Sequence, residues 1–336
     1  MRSSLFLGAL AAAGVAAGTA GAATLDDVKA KGFVQCGIST GLAGFSYTDE
    51  NGEWRGFDVD MCRALAAAIF DDPDAIKFTP TTAKTRFTSL ASGEVDTLFR
   101  NSTWTLSRDT DLGLDFVGVN YYDGQGFMVP AALGVTSAHE LDGATICIQT
   151  GTTTELNLAD FFRINDMSYE PVPIETSTEA QQKYLAGACD AYTTDRSGLA
   201  STRATFEDPS AHVILPETIS KEPLGPVVRH GDNQWADIVR WTLNALIAAE
   251  EYGITQENVE EMAQTPTDNP EINRMLGTEG NYGEMLGLEK DWVVQLISAT
   301  GNYGEIFDKY LTPLGLDRGL NALYTEGGIL YAPPFR

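Results

Sequence analysis

The sequence predicts an α/β protein made of two similar lobes with a ligand cleft between them, and three observations carry that prediction. Strand-like segments alternate with helices of moderate length, the signature of βα units on a largely parallel sheet. One pattern occurs twice. "RFTSLASGEVDTLFRN" (86–101) and "AQQKYLAGACDAYTTD" (180–195) each read as a short amphipathic helix, a glycine stop, an aspartate and a strand ending in polar residues. A second pair, "FVQCGISTG" (33–41) and "TICIQTG" (145–151), reads as a buried strand running into a polar Gly/Thr loop. Two lobes explain this doubling better than one large sheet, and 336 residues are enough for both.

In chain order, the opening "MRSSLFLGALAAAGVAAGTAGAA" has one arginine, an apolar run and a small-residue end, so a secretory signal peptide is expected, cleaved after Ala22 or Ala23. The run is Ala/Gly-rich, which disfavours a membrane anchor. No cysteine lies near the cleavage point to carry a lipid. The mature protein is therefore expected to be exported and soluble. "FSYTDENGEWRGF" follows, with Asn51-Gly52 between aromatic runs, a hairpin signal. "DVDMCRALAAAIF" reads as a helix with Asp58 as N-cap and Val59, Cys62, Ala66 and Ile69 on its inner face. From about residue 250 the chain reads as short helices broken by Gly and Pro, a wrapping extension carrying the twin "NYGE" strings Asn281–Glu284 and Asn302–Glu305.

Composition excludes several classes of partner. With 47 Asp and Glu against 22 Lys and Arg, the chain lacks the basic surface that nucleic acid or an anionic membrane requires. Four cysteines, Cys36, Cys62, Cys147 and Cys189, leave open two disulfides or four buried thiols. None has CxxC spacing and the three histidines (His139, His212, His230) are scattered, so no metal site and no cofactor are expected. "GISTG" (37–41) matches the nucleophile-elbow string, but that motif needs a helix directly after the serine, and a loop and hairpin follow here.

In sheets of this kind ligands sit beyond the carboxyl ends of the strands, where Ser39, Asn101, Thr103, Thr152, Thr153 and Asp195 fall. Arg108 follows closely in "RNSTWTLSRD". An arginine fork grips a carboxylate through two charge-assisted hydrogen bonds. An aspartate in the opposite lobe holds an ammonium. Facing across a cleft lined with hydroxyls, Arg108 and Asp195 complement a zwitterionic α-amino acid.

These residues carry a resemblance. "GFSYTDENGEWRGFDVDMCRALA", "LASGEVDTLFRNSTWTLSRD", "IQTGTTTEL" and "GACDAYTTDRSGLA" resemble the type II solute-binding proteins of polar amino-acid ABC importers. "GTTTELNLADFF" and the ending "LYAPPFR" are most similar to the general L-amino-acid-binding subgroup. The resemblance covers essentially the whole mature chain and implies the two-lobe type II periplasmic-binding-protein fold. Each lobe is then a mixed, largely parallel sheet flanked by helices, with a helical C-terminal extension. It implies a first lobe over residues 24–123, hinge strands and a second lobe over 124–228, and a return to the first lobe with the extension over 229–336.

By position, the resemblance places Arg108 on the α-carboxylate with donors from Thr103 and Thr153, and Asp195 on the α-ammonium with help from Asn101. Thr152 joins them on the rim. Arg86 falls where glutamate and aspartate binders of this fold hold the side-chain carboxylate. Leu42 stands where binders of basic amino acids stack a tyrosine, and Phe45 is the nearest aromatic substitute. The implied function is extracytoplasmic capture of an L-amino acid, broad and favourable to Glu, Gln, Asp or Asn, by a monomer that delivers it to an ABC permease. A cyclohexadienyl-dehydratase-like enzyme or a signalling receptor is the alternative on the same scaffold. Because a bridge between lobes would block closure, the expected disulfides are Cys36–Cys62 and Cys147–Cys189.

Overall fold

A computed structural model describes residues 23–336, so the expected signal peptide, Ala23 apart, lies outside the described residues. The strand Val34–Ser39, buried at Val34, Cys36 and Ile38, sits inside a five-stranded sheet. The order is Ile76–Thr81, Val34–Ser39, Thr97–Leu98, Val227–Arg229 and Leu114–Phe116. The first three strands are parallel, and Val227–Arg229 runs against both of its neighbours. The second lobe repeats the plan with Tyr169–Ile174, Ala144–Gln149, Ala191–Asp195, Gln125–Pro130 and His212–Ile214. Again three strands are parallel, and the fourth, Gln125–Pro130, is antiparallel to its neighbours. Each lobe thus borrows its fourth strand from chain that has just crossed from the other lobe.

The aspartate repeated in the two sequence patterns has one task in both lobes. The Asp96 N–H donates to the Gln35 carbonyl at 2.8 Å, and its carboxylate accepts the Gln35 N–H at 2.7 Å. Asp190 does the same to Thr145, whose N–H and hydroxyl both donate to its carboxylate, at 2.8 and 2.6 Å. In each case the acceptor fixes the entry of the parallel strand that leads to the cleft. Gly93 and Gly187, both with positive φ (80° and 72°), turn the chain out of the preceding helix towards the aspartate and its own strand, Thr97–Leu98 or Ala191–Asp195.

The helix Phe57–Phe70 differs from expectation at its start. Gly56 (φ 130°) is the N-cap, and a Cβ there would lie 2.2 Å from the Phe45 carbonyl oxygen. The first helical N–H groups of Phe57 and Asp58 donate instead to the carbonyls of Gly44 and Phe45. With those donors satisfied by backbone, Asp58 is not needed as a cap and turns inward, where it is buried. Val59, Cys62 and Ala66 are buried as expected and Ile69 packs against the same core. Sulfur–sulfur bonds join Cys36 to Cys62 and Cys147 to Cys189, one within each lobe, with Cα separations of 6.3 and 5.6 Å.

Two chain crossings join the lobes. Tyr121–Asp123 and Glu222–Leu224 pair antiparallel, with Glu222 opposite Asp123. After the helix Asn233–Glu251 the chain wraps the first lobe. Trp292, Leu296, Ile297, Phe307 and Phe335 all enter the core that holds helix Phe57–Phe70. Of the twin "NYGE" strings, Asn302 and Glu305 form a reciprocal capping box, whereas Asn281 makes no capping bond to its helix. No helix among the described residues is long and apolar enough to cross a membrane.

The extension also reaches the crossing strands. The buried Asn321 accepts the Tyr122 N–H at 2.6 Å and donates to the Tyr122 carbonyl at 3.1 Å, clasping the outer face of the first crossing strand. Asn321→Ala leaves both backbone groups without this partner, so thermal or urea unfolding should show a loss of about 1–3 kcal/mol. An unchanged midpoint would mean that the clasp contributes nothing to the fold.

Candidate functional site

After Leu98 the chain leaves its strand, and residues 102–104 lie along the second crossing strand. Trp104 N–H donates to Pro223, Gly225 N–H donates to Ser102, and Thr103 bridges to Leu224. Thr105 then caps the short helix Leu106–Asp111 by accepting the Arg108 N–H. This places Arg108 with Nη1 donating to the Thr103 carbonyl at 2.9 Å and its guanidinium over the Phe87 ring at 5.0 Å. Arg86 covers the same ring at 4.8 Å and donates to the Asn101 carbonyl at 2.8 Å.

From the second lobe come the end of the strand Ala191–Asp195 and the start of the helix Thr153–Ile164. Thr152 is the N-cap residue, with its hydroxyl turned back to the Gln149 carbonyl at 2.7 Å, and Gly151 (φ 74°) makes the turn before it. The free N–H groups of that first helical turn carry partial positive charge towards the cleft. The lobes are closed on one another: a Cβ at Gly151 would lie 3.1 Å from the Lys84 Cα of the first lobe.

A small cavity remains between them. Arg86, Arg100, Asn101 and Thr103 line it from the first lobe, and Gln149, Thr152, Thr153, Thr154, Thr194 and Asp195 from the second. The structure therefore brings Arg86, Asn101, Thr103, Thr152, Thr153 and Asp195 together. Arg108 is not on the cavity wall and touches it through Thr103. Leu42 and Phe45 are elsewhere. Both are buried in the first lobe's core, Phe45 edge-on to Phe57 and Tyr121 at 5.9 and 5.5 Å, because a purely apolar side chain gains more there than beside charged groups. Ser39 is buried and also off the wall, and no helix follows it.

Besides Gln149, Thr154 and Thr194 on the wall, two charged residues of the site escaped the sequence. Arg100, the first residue of "RNSTWTLSRD", is buried with Nε and Nη1 unpartnered. Glu222, on the second crossing strand, is buried and accepts hydrogen bonds from both lobes. Its Oε2 takes the Thr103 hydroxyl and, at 2.9 Å, the Thr153 hydroxyl; its Oε1 takes Asn157 and Ser220, each at 2.7 Å. A lone acidic residue in "KEPLGPVV" was the only signal, and nothing local tells an inward glutamate from a solvated one.

Burial dominates the electrostatics. It raises the proton affinity of Asp195 far above the ordinary carboxylate range, reinforced by the charges of Asp123 and Glu222 and opposed by Arg86 and Asn101. It also lowers that of Arg86, with Arg100 and Arg108 adding repulsion, and brings Arg100 down to about 10. Asp58 is pushed up to about 7 by burial, against the pull of Arg100, and Asp123 to about 6. A carboxyl raised in this way stabilises the fold most below the unfolded carboxylate range and loses that contribution as pH rises through its folded value. Unfolding free energy should thus fall from about pH 4, the unfolded carboxylate value, to about pH 7, and Asp58→Asn should flatten that slope in urea titrations. An identical slope in the variant would rule Asp58 out as a source.

Residues 34–258 match the family described as bacterial extracellular solute-binding proteins, family 3. The chain is 62% identical to the glutamate/glutamine/aspartate/asparagine-binding protein BztA of Rhodobacter capsulatus, over 100% of both chains. It is 58% identical, again over 100% of both, to the general L-amino acid-binding periplasmic protein AapJ of Rhizobium johnstonii. Among solved structures, an ABC transporter periplasmic binding protein from Brucella ovis with glutathione bound superimposes with a TM-score of 0.91 at 60% identity, over 94% of this chain and 100% of that one.

Proposed function

The chain belongs to family 3 of the bacterial extracellular solute-binding proteins, and on that premise we propose how its cleft selects and holds a ligand. It is an exported amino-acid-binding subunit of an ABC importer, a binding protein rather than an enzyme, and the relatives at 62% and 58% identity are named as amino-acid-binding proteins. It works with membrane permease subunits. The mature chain starts after Ala22 or Ala23, and residues 24–123 with those after 228 move as one body against 124–228.

The ligand is a zwitterionic L-amino acid. The observation that supports this most is the burial, in one closed cleft, of Asp195 from one lobe with Arg86 and Arg108 from the other. The Thr103 and Thr153 N–H groups and the helix N-terminus hold the α-carboxylate at the cavity wall, and Arg108 reaches it from behind Thr103. Asp195 and Asn101 hold the α-ammonium, whose charge restores Asp195 to its ionised form. Arg86 faces the side chain and favours Glu, Gln, Asp and Asn, the ligands in the name of the Rhodobacter protein. Closing the lobes removes these charges from water, so each must find its partner on the ligand. The closed form is what the permease reads.

Removing one member of a desolvated charge pair costs about 2–5 kcal/mol, chiefly because its partner stays buried alone. Asp195→Asn should weaken glutamate by tens-fold or more while its deamino analogue, glutarate, loses little. Arg108→Lys should fail similarly, since an ammonium lacks the planar fork. Calorimetry on ligand-stripped protein reads both, and near-wild-type glutamate binding by Asp195→Asn would remove the site as placed. Glutathione belongs in the same titrations, being the molecule bound in the Brucella structure.

A second expectation concerns selectivity. Arg86→Ala should cost glutamate more affinity than a neutral aliphatic amino acid. Equal losses would show that Arg86 does not read the side chain.

A further inference from the structure

Arg100 has no task in the scheme above, yet it is the most poorly satisfied charge in the cleft. Its side chain is 3% exposed, it lines the cavity, and Nε and Nη1 donate to nothing. The opposite charge that acts on it most, Asp58, is buried as well, and the Asp58 Oδ2 accepts nothing. The two therefore share a field without sharing a hydrogen bond. Arg86, beside it on the same wall, has one bond to the Asn101 carbonyl and an Nε that is equally unpartnered.

A buried guanidinium N–H without an acceptor is costly, so a closed cleft tolerates it where an acceptor arrives with the ligand. In the proposed site Asp195 takes the α-ammonium and Arg108, from behind Thr103, takes the α-carboxylate. That leaves Arg86 and Arg100 as adjacent fork-shaped donors on one wall of the cavity. Two guanidinium groups that repel each other match an oxygen-rich terminus that can accept from both.

We propose that Arg100 is a specificity-determining residue which, together with Arg86, donates to the terminal carboxylate or carboxamide oxygen of the ligand side chain. The inference rests on the zwitterion reading of Arg108 and Asp195. On it, an acidic or amide amino acid gains two sets of donors that alanine cannot use, and a carboxylate gains more than a carboxamide because charge-assisted bonds are stronger.

The test is calorimetry of the ligand-stripped mature chain and its Arg100→Gln and Arg100→Lys variants with L-glutamate, L-glutamine and L-alanine. Arg100→Gln should lower glutamate affinity by about tenfold more than it lowers alanine affinity, with glutamine between them. Arg100→Lys keeps a cation facing Asp58 but loses the fork, and should show the same order with a smaller spread. If Arg100→Gln does not fold, the lysine variant is judged by the same ratio. Equal losses for all three ligands, or no loss for glutamate, would overturn the proposal and leave Arg100 as a counter-charge for Asp58. Wild-type glutamate against glutarate judges the zwitterion reading separately: equal affinity there sinks that reading, whatever the variants show.

Discussion

Charged groups removed from water must meet opposite charges or hydrogen-bond partners, and in this protein that requirement is concentrated where the two lobes meet. Arg86, Arg100 and Arg108 are buried there with Asp58, Asp195 and Glu222. No one lobe holds a balanced set. Asp195 comes from the second sheet, the arginines from the first lobe, and Glu222 from a crossing strand. Opposite charges therefore face one another only when the lobes are together, which ties the energetics of the site to the geometry of the crossing strands.

Glu222 shows how closely crossing strands and site are joined. One carboxylate oxygen accepts from Thr103 of the first lobe and Thr153 of the second, so a residue on a crossing strand touches both walls. Residues 102–104 run along the same crossing strand, and Asn321 of the C-terminal extension grips its partner from outside. Motion at the crossing strands is thus constrained on the cleft side by hydroxyl–carboxylate bonds and on the outer side by a carboxamide clasp. The extension enlarges the first lobe's core and also reaches the segment about which the lobes would turn.

The two lobes are copies at the level of hydrogen bonds as well as of topology. Asp96 and Asp190 brace the second residue of equivalent strands, and a glycine with positive φ precedes each. The cavity walls are not copies. The first lobe supplies arginines and the second an aspartate and threonines, and this asymmetry on a symmetric scaffold suits a ligand with opposite charges at its two ends.

Local features of the sequence determined much of this. The doubled helix–Gly–Asp–strand pattern announced two lobes, Asn51-Gly52 announced the hairpin, and polar strand ends announced which face holds the cavity. Such features are legible because periodicity and turn chemistry are set by neighbours within a few residues. Tertiary structure decided the rest. Whether Asp58 caps a helix or turns inward depended on carbonyls of Gly44 and Phe45, and Phe45 itself went to the core, where Phe57 and Tyr121 offered it a site. Arg100 and Glu222 became visible only when chain from distant positions closed around them. Thr103 and Glu222 are 119 residues apart, and no spacing in a sequence records a contact made across two chain crossings.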